Sequence, residues 1–442
     1  MKKRYVVVGL GNRGPSMFVK PLVRQYSDVA ELVGICDINP HRLELVRSEL
    51  DNTVPGFTSF TQMLDEVRCD VVIVATPCGT HHELIIAALD RDLDVITEKA
   101  LTVDAEKVRA ILAAEARSKG RLTVTFNYRY APYVTALKQL LKDGTIGDIH
   151  SVEFHWFLDT LHGADYYRRW HRRKENSGGL LVHKATHHFD LINWVIDAEP
   201  QVVFATGRRH FYGDNRPSPS DRCLNCPAGD DCEFHLDLTQ NGSLRRLYLD
   251  AEKHDGYLRD RCVFSPDINI EDTMHVLATY TKEIQLSYTL TSASPFEGWT
   301  MVVNGSKGRL EASEAHSFVP TEERVFAQRV KAAKPLDAAQ AAAGMLEPAT
   351  ERTIRVYPLY GGVEVHKVPV DRSAHGGGDS RLREMLFRAH VPDPLGHAAD
   401  SWAGVLSVLL GVAANESIAT GLPVRIADLL GEEFTPTEWR KN

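Results

Sequence analysis

The sequence predicts an α/β protein in two parts: an N-terminal doubly wound parallel sheet and a C-terminal α/β domain whose open sheet is mainly antiparallel. Three observations predict it. Short apolar runs in the first 126 residues are separated by helical patterns, the mark of parallel strands joined by crossovers. Beyond residue 150 the texture changes to alternating stretches with fewer helices, as in a sheet with one covered face. A chain of 442 residues, 43% hydrophobic and 25% charged, can bury a core and has room for two or three domains of about 150 residues.

The elements follow in order. Residues 5–8, 32–36, 70–75, 93–97 and 122–126 read as strands of the first sheet, and 82–90 and 104–119 as helices between them. The boundary is expected near Asn127, giving domains 1–127 and 128–442. In the second domain, 131–143 reads as a helix, 151–157 as an alternating strand and 178–196 as one long helix. From 202 to 310 the chain favours strands, within which 210–262 is a Cys-rich insertion. Residues 326–353, Ala-rich with Pro335 and Pro348, read as a surface insertion. Residues 400–420 read as an apolar helix closed by Gly421.

Composition disfavours several classes. Lys and Arg total 51 against 59 Asp and Glu, a net charge of -8, so neither a nucleic-acid partner nor a polybasic membrane anchor is expected. The strongly apolar stretch 404–414 is too short to span a bilayer. The apolar run 5–8 ends in a glycine turn and reads as a first strand, not a secretory signal, so a cytoplasmic location is expected. Seven cysteines are too few for a disulfide scaffold.

Gly9, Gly11 and Gly14 follow the first strand in the spacing that cradles a dinucleotide. The first permits a tight turn, the second lets backbone approach a pyrophosphate, and the third packs the following helix, whose N-terminus favours the anion. Asn12 and Arg13 lie in the same turn; Arg13 either reaches the pyrophosphate or lies on the surface. Asp37 ends the second strand, where a carboxylate accepts ribose hydroxyls of NAD and repels the phosphate of NADP. Thr76 and Pro77 end the 70–75 strand, and Glu98 and Lys99 end the 93–97 strand, both facing the ligand crevice. NAD is therefore the expected cofactor.

These residues, with His81, the Asn127-Tyr128-Arg129-Tyr130-Ala131-Pro132 segment, residues 305–311 and the closing segment 419–424, resemble the glucose-fructose oxidoreductase / inositol dehydrogenase / MocA (Gfo/Idh/MocA) family. The resemblance implies an N-terminal Rossmann domain, with His81 and Asn127 also on the cofactor side. It implies a C-terminal domain whose open sheet carries the substrate site and often an oligomer interface, hence a homo-oligomer, dimer or tetramer. It implies hydride transfer between a sugar-like hydroxyl carbon and nicotinamide.

Two departures stand out. Glu98-Lys99-Ala100 replaces the family's usual Glu-Lys-Pro, and His183 falls where the family has an Asp. His187 falls on the family's His and Asp190 on its following Asp. Spaced i, i+4, i+7, these would share one helix face. His187 is the expected general base, with Lys99 polarising or sharing the proton and His183 binding a hydroxyl or tuning His187. The alternative is that His183, His187 and His188 are buried helix residues, which for His188 is the preferred reading. This form also resembles members close to NAD-dependent glycosidases, which oxidise transiently, eliminate, add water and return the hydride. The substrate would be a sugar, polyol or glycoside, contacted by Arg129, Tyr167, Arg169, Trp170, His183, Lys184 and His187. Residues 166–173 interleave aromatics with arginines, suited to a sugar ring or else a solvated basic loop. Asp379, after three glycines, is a plausible N-cap. A third reading is a non-catalytic NAD-binding sensor; Lys99 and His187 argue against it.

Cys223, Cys226 and Cys232, with Cys262 thirty residues on, have metal-ligand spacing. A closed structural zinc site is the first expectation and an iron–sulfur cluster the second. Free thiols or a redox disulfide are the other options. Cys36, Cys69 and Cys78 read as small core or strand-end residues.

Overall fold

The computed structural model describes residues 2–318, 329, 350–371, 373–431 and 434. Most of the expected Ala-rich insertion lies outside the described residues.

The first sheet begins with β1 (Lys3–Val8), β2 (Ala30–Cys36), β3 (Gly56–Phe57), β4 (Val71–Val74), β5 (Asp94–Thr97) and β6 (Leu122–Val124). All four residues of β4 are buried, as a central strand covered on both faces requires. These six strands pair in parallel, and the order across the sheet is β6-β5-β4-β1-β2-β3. Strand order reverses between β1 and β4, which opens a ligand crevice at their carboxyl ends. Local signals place the crossovers. Asn39 caps the helix Pro40–Ser48, accepting from the His41 and Arg42 amides, and Asp104 caps Ala105–Arg117. A seventh strand, β15 (Ala399–Asp400), returns from the far end of the chain and pairs antiparallel with β6.

The second sheet has nine strands: β7 (Ile149–Asp159), β8 (Pro200–Arg208), β9 (Thr273–Tyr280), β10 (Gln285–Ser294), β11 (Phe296–Gly305), β12 (Gly308–Phe318), β13 (Glu351–Pro358), β14 (Glu364–Pro369) and β16 (Val424–Arg425). Their order is β14-β13-β12-β11-β7-β10-β9-β8-β16. Only β7 and β10 pair in parallel. Burial alternates along β8 and β9, so one face is core and the other open. The helices Pro132–Lys142, Thr186–Ile196 and Ser401–Thr420 cover the inner face.

Three expectations change. The predicted helix over 178–196 is two pieces, Leu180–His183 and Thr186–Ile196, entered through Gly178 and Gly179 at φ +70° and +75°. Between Arg208 and Thr273 the chain forms short helical turns and one isolated bridge, Arg222 to Arg261, rather than strands. The apolar helix runs for twenty residues, long enough by length and composition to cross a membrane, but thirteen of them are buried in the protein. Its Gly411 passes so close to the site segment that a Cβ would lie 2.3 Å from the Leu181 carbonyl oxygen.

Candidate active site

The glycine loop has the geometry its spacing predicts. Gly9 has φ +95°, and a Cβ on it would lie 2.6 Å from the backbone of Ala75. A Cβ on Gly14 would lie 2.0 Å from the Gly9 carbonyl oxygen. Gly11 is different: only the Tyr248 hydroxyl, at 3.9 Å, comes near a Cβ there. Two glycines thus build the turn and the third keeps a surface clear. A helical segment begins at Pro15 immediately after the loop.

Asp37 is buried at the end of β2. Its Oδ2 accepts from the Leu10 amide at 2.7 Å, and its Oδ1 from the Asn39 amide at 2.8 Å and Arg42 Nε at 3.3 Å. Arg42 is also paired with Asp255. Beside Asp37, Ile38 is 77% exposed, an apolar surface at the mouth of the crevice.

Arg13 is neither free nor simply on the surface. It donates to Glu98 Oε1 at 2.8 Å and to both carboxylate oxygens of Asp379 at 3.0 and 3.2 Å. Asp379 also accepts from Asn127 Nδ2 at 2.6 Å. It is therefore a clamp on the cofactor side, while the cap position before its helix is Gly377. Asn127 is 1% exposed and its Oδ1 has no partner, a buried acceptor left for a ligand hydroxyl or amide. His81 is fully buried, its ring nitrogens bridging the Thr76 and Ala100 carbonyls at 2.8 and 2.9 Å. It fixes two crevice turns from behind. Thr76 Oγ1 accepts from the Thr80 hydroxyl. A clear Gly11, the strand-end Asp37 and the unpartnered Asn127 oxygen fit a dinucleotide.

Lys99 joins this crevice to the second domain. It is partly buried, and its Nζ donates to the His183 carbonyl at 3.1 Å. The Lys99–Ala100 peptide is cis. Burial lowers the Lys99 pKa, and the Arg13 and Arg169 charges push the same way against Cys78 and Glu98. His183 Nδ1 is hydrogen-bonded to Cys78 Sγ at 3.3 Å. Its ring lies 4.3 Å from that of His171 and 5.2 Å from that of Trp170. Burial, and then the Lys99 charge, hold His183 well below its ordinary pKa, so the ring is neutral. His187 is partly exposed, edge-on to Phe126. Lys184 lies over Trp156, 4.6 Å from the ring centroid. His188 stacks on Trp156 and bonds Tyr288 through Nδ1, a structural role as expected.

Other expectations need correction. Asp190 does not line a shared face with His183 and His187; the helix break intervenes, and Asp190 is 1% exposed in an ion pair with Arg129. Arg129 also donates to the Gly396 carbonyl at 3.2 Å. Both tie elements of the fold together. Tyr167 is 0% exposed, stacked on Tyr212 and hydrogen-bonded to Ser292 and the Glu271 carbonyl. Its neighbour Tyr166, one helical step round, faces the His183–His171 cluster instead. Tyr166 Oη is bonded to His162 Nε2 at 3.1 Å, and His162 Nδ1 to Glu297 at 2.8 Å. Sequence reasoning missed this relay; Cys78 is a core residue, as expected, and its Sγ also meets His183. Arg169 and Trp170 do lie at the cluster.

All seven cysteines are free thiols, so no disulfide forms. Among the described residues no group of three or more His, Cys, Asp or Glu is placed to hold a metal ion, so neither the zinc expectation nor the iron–sulfur alternative is supported.

Two family models match the chain: an oxidoreductase family NAD-binding Rossmann fold over residues 3–126, and an oxidoreductase family C-terminal alpha/beta domain over 138–426. The chain is 34% identical to YteT of Bacillus subtilis (strain 168), covering 97% of this chain and 98% of that protein. It is 29% identical to inositol 2-dehydrogenase of Rhizobium meliloti (strain 1021) over 40% of this chain and 51% of that one. Its fold matches the WlbA dehydrogenase of Bordetella pertussis, solved with NADH and UDP-GlcNAcA, at a TM-score of 0.62 and 17% identity, covering 96% and 99% of the two chains. It also matches an Agrobacterium radiobacter oxidoreductase, solved with NAD+, L-tartaric acid and magnesium, at 0.63 and 15% over 97% and 100%.

Proposed function

Because the chain belongs to the Gfo/Idh/MocA oxidoreductase family, we propose that it transfers a hydride between a hydroxyl carbon of a sugar or polyol and NAD. The cofactor, when bound, supplies the hydride acceptor and donor. The chain's own residues do the rest. Backbone at Gly11 and the helix N-terminus beyond Gly14 would hold the pyrophosphate. Asp37 would take ribose hydroxyls on its remaining lone pairs. Its charge, with Arg42 already paired to Asp255, disfavours a ribose phosphate. The unpartnered Asn127 Oδ1 would accept a hydrogen bond from the cofactor.

The single observation that carries the reading is Lys99. It ends a strand of the dinucleotide domain, yet its ammonium rests on the backbone of the substrate segment. A lysine shifted toward its neutral form can take a hydroxyl proton. His187, partly exposed, would share that proton, and His183, held by Cys78, would present its other nitrogen to a substrate hydroxyl. Trp170 supplies an apolar face for a sugar ring and Arg169 a cation. The Tyr166–His162–Glu297 relay offers a second proton path.

One observation favours the second reading, a redox-neutral NAD-dependent glycosidase. The Cys-rich insertion lies over the cofactor loop, with Tyr248 Oη accepting from the Asn12 amide at 3.4 Å. A retained cofactor suits a cycle in which the hydride returns. The outer face of β8 and β9 exposes Phe204 and Leu277, paired across the strands, which supports the expectation of a homo-oligomer. A panel of sugars, polyols and glycosides, read for both NADH and aglycone release, tests the proposal. NADH formation supports the dehydrogenase, and aglycone release without NADH supports the hydrolase. Neither signal from a chain that binds NAD contradicts both.

A further inference from the structure

Arg169 carries a charge that nothing around it answers. Its Nε is buried without a hydrogen-bond partner, and no carboxylate of the described residues lies within ion-pair distance of the guanidinium. The acidic neighbour, Asp165, is taken by others: Arg259 Nη2 donates to its Oδ2 at 2.8 Å, and Arg168 Nε lies 3.6 Å from its Oδ1. An arginine stays protonated, and a buried guanidinium is costly unless something negative lies against it. Arg169 also sits in the reaction crevice. Burial lowers the pKa values of Lys99 and His183, and the Arg169 charge acts on both in the same direction. Trp170, the next residue, has its ring 5.2 Å from that of His183.

Two further polar atoms beside Arg169 are buried and unpartnered. Tyr257 Oη lies within range of the guanidinium without completing a hydrogen bond. His171 Nδ1 is the other, on a ring stacked against Trp170 at 3.8 Å. Burial, and then the Arg169 charge, hold that ring well below its ordinary pKa, so it is neutral and able to donate. Tyr257 comes from the Cys-rich insertion. Its ring is 6.0 Å from that of Tyr248, and Tyr248 Oη accepts from the Asn12 amide of the cofactor loop at 3.4 Å. The Arg259 guanidinium lies 5.7 Å from the centroid of the Tyr248 ring. The insertion therefore builds one wall of the crevice, from the cofactor loop to Arg169.

A cation and two unpartnered neutral donors in one crevice make half of a pair whose other half arrives with the ligand. We propose that Arg169, Tyr257 and His171 form a subsite for a carboxylate carried by the substrate, so that the sugar taken is an acidic one, a uronic acid or its glycoside. One guanidinium with neutral donors matches one negative charge. A phosphate would bring nearly two, and Lys99, shifted toward its neutral form, is no second cation. The acidic-sugar substrate rests on the hydride-transfer reading; the anion subsite does not.

The test uses the full chain loaded with NAD. Glucuronate and galacturonate, free and as methyl glycosides, are titrated calorimetrically against glucose and galactose in the same forms and against hexose phosphates. Isotope transfer to nicotinamide is followed on the same panel. We expect a uronate to bind about 100-fold more tightly than its neutral counterpart. That preference should fall about 100-fold in Arg169→Gln and about tenfold in Tyr257→Phe, which removes only a hydroxyl, and return in part in Arg169→Lys. A panel in which no uronate is preferred over its neutral counterpart, or a preference that survives in Arg169→Gln and Tyr257→Phe, would overturn the subsite. A hexose phosphate bound more tightly than the uronates would overturn the carboxylate. Arg169-dependent uronate binding without isotope transfer from any sugar would overturn hydride transfer and leave the subsite standing. Transfer from neutral hexoses as readily as from uronates would do the reverse.

Discussion

Replacing Gly14 by alanine puts a methyl carbon 2.0 Å from the carbonyl oxygen of Gly9. That is an overlap of more than about 1 Å between atoms fixed to backbone, which no rotamer change relieves. The loop and the helix after it must separate, at a cost of about 1–3 kcal/mol for overpacking. Replacing Gly11 meets nothing closer than the Tyr248 hydroxyl at 3.9 Å, and its φ is not in the left-handed region. Gly11→Ala should therefore change stability by less than about 0.5 kcal/mol, as surface substitutions do. It nevertheless places a methyl where the pyrophosphate must approach, so NAD should bind at least about tenfold more weakly, equal to about 1.4 kcal/mol. Chemical denaturation and NAD titration on both variants separate the effects. Gly14→Ala should fail in both measurements and Gly11→Ala only in binding. A Gly11→Ala protein with wild-type NAD affinity would refute the placement of the pyrophosphate.

Further outcomes follow from the charges. The wild-type chain should bind NAD more tightly than NADP, and Asp37→Asn, which keeps the acceptor oxygen for Leu10, should narrow that preference about tenfold; tighter NADP binding by the wild type would contradict it. Substrate oxidation should rise with pH as Lys99 loses its proton, with a midpoint below the ordinary lysine value of 10.5, because burial destabilises the ammonium. A midpoint that does not move in Lys99→Arg would assign it elsewhere. Glu115 is pushed by burial from 4.5 to about 7 in the folded protein. Its folded pKa is raised, so its contribution to stability is fully present below 4.5 and lost as pH rises through about 7. At about 1.4 kcal/mol per unit, reduced by its partial exposure, Glu115→Gln should stabilise the chain by about 1–2 kcal/mol above neutrality and change little in acid. Equal effects in both ranges by thermal unfolding would contradict the assignment.

Much of the dinucleotide half was legible because its signals are local. The buried β4 is a continuous apolar run, the glycine loop follows β1 directly, and Asp37 ends β2. The second domain hides more. β15 is two residues that find β6 across more than 270 positions of chain, and no periodicity announces such a pairing. Tyr166 and Tyr167 are the same residue type side by side, and only the packing of their helix decides which meets the site. Arg129 looked available for substrate and Asp190 looked part of the histidine face, but the two are ion-paired with each other. The histidine spacing assumed one regular helix, whereas Gly178 and Gly179 and the break after His183 reorient that segment. Asp379 suited a cap by its neighbours in sequence; its partners Arg13 and Asn127 come from the other domain.

The central claim is that Lys99 and the His183–His187 segment carry out hydride transfer at one crevice. Single-turnover transfer of a hydrogen isotope from the substrate carbon to nicotinamide measures it directly, even where no net NADH accumulates. The wild type should transfer the label, while Lys99→Met and His187→Ala should bind NAD normally and transfer it about 100- to 10,000-fold more slowly. Wild-type transfer rates in both variants would contradict the account.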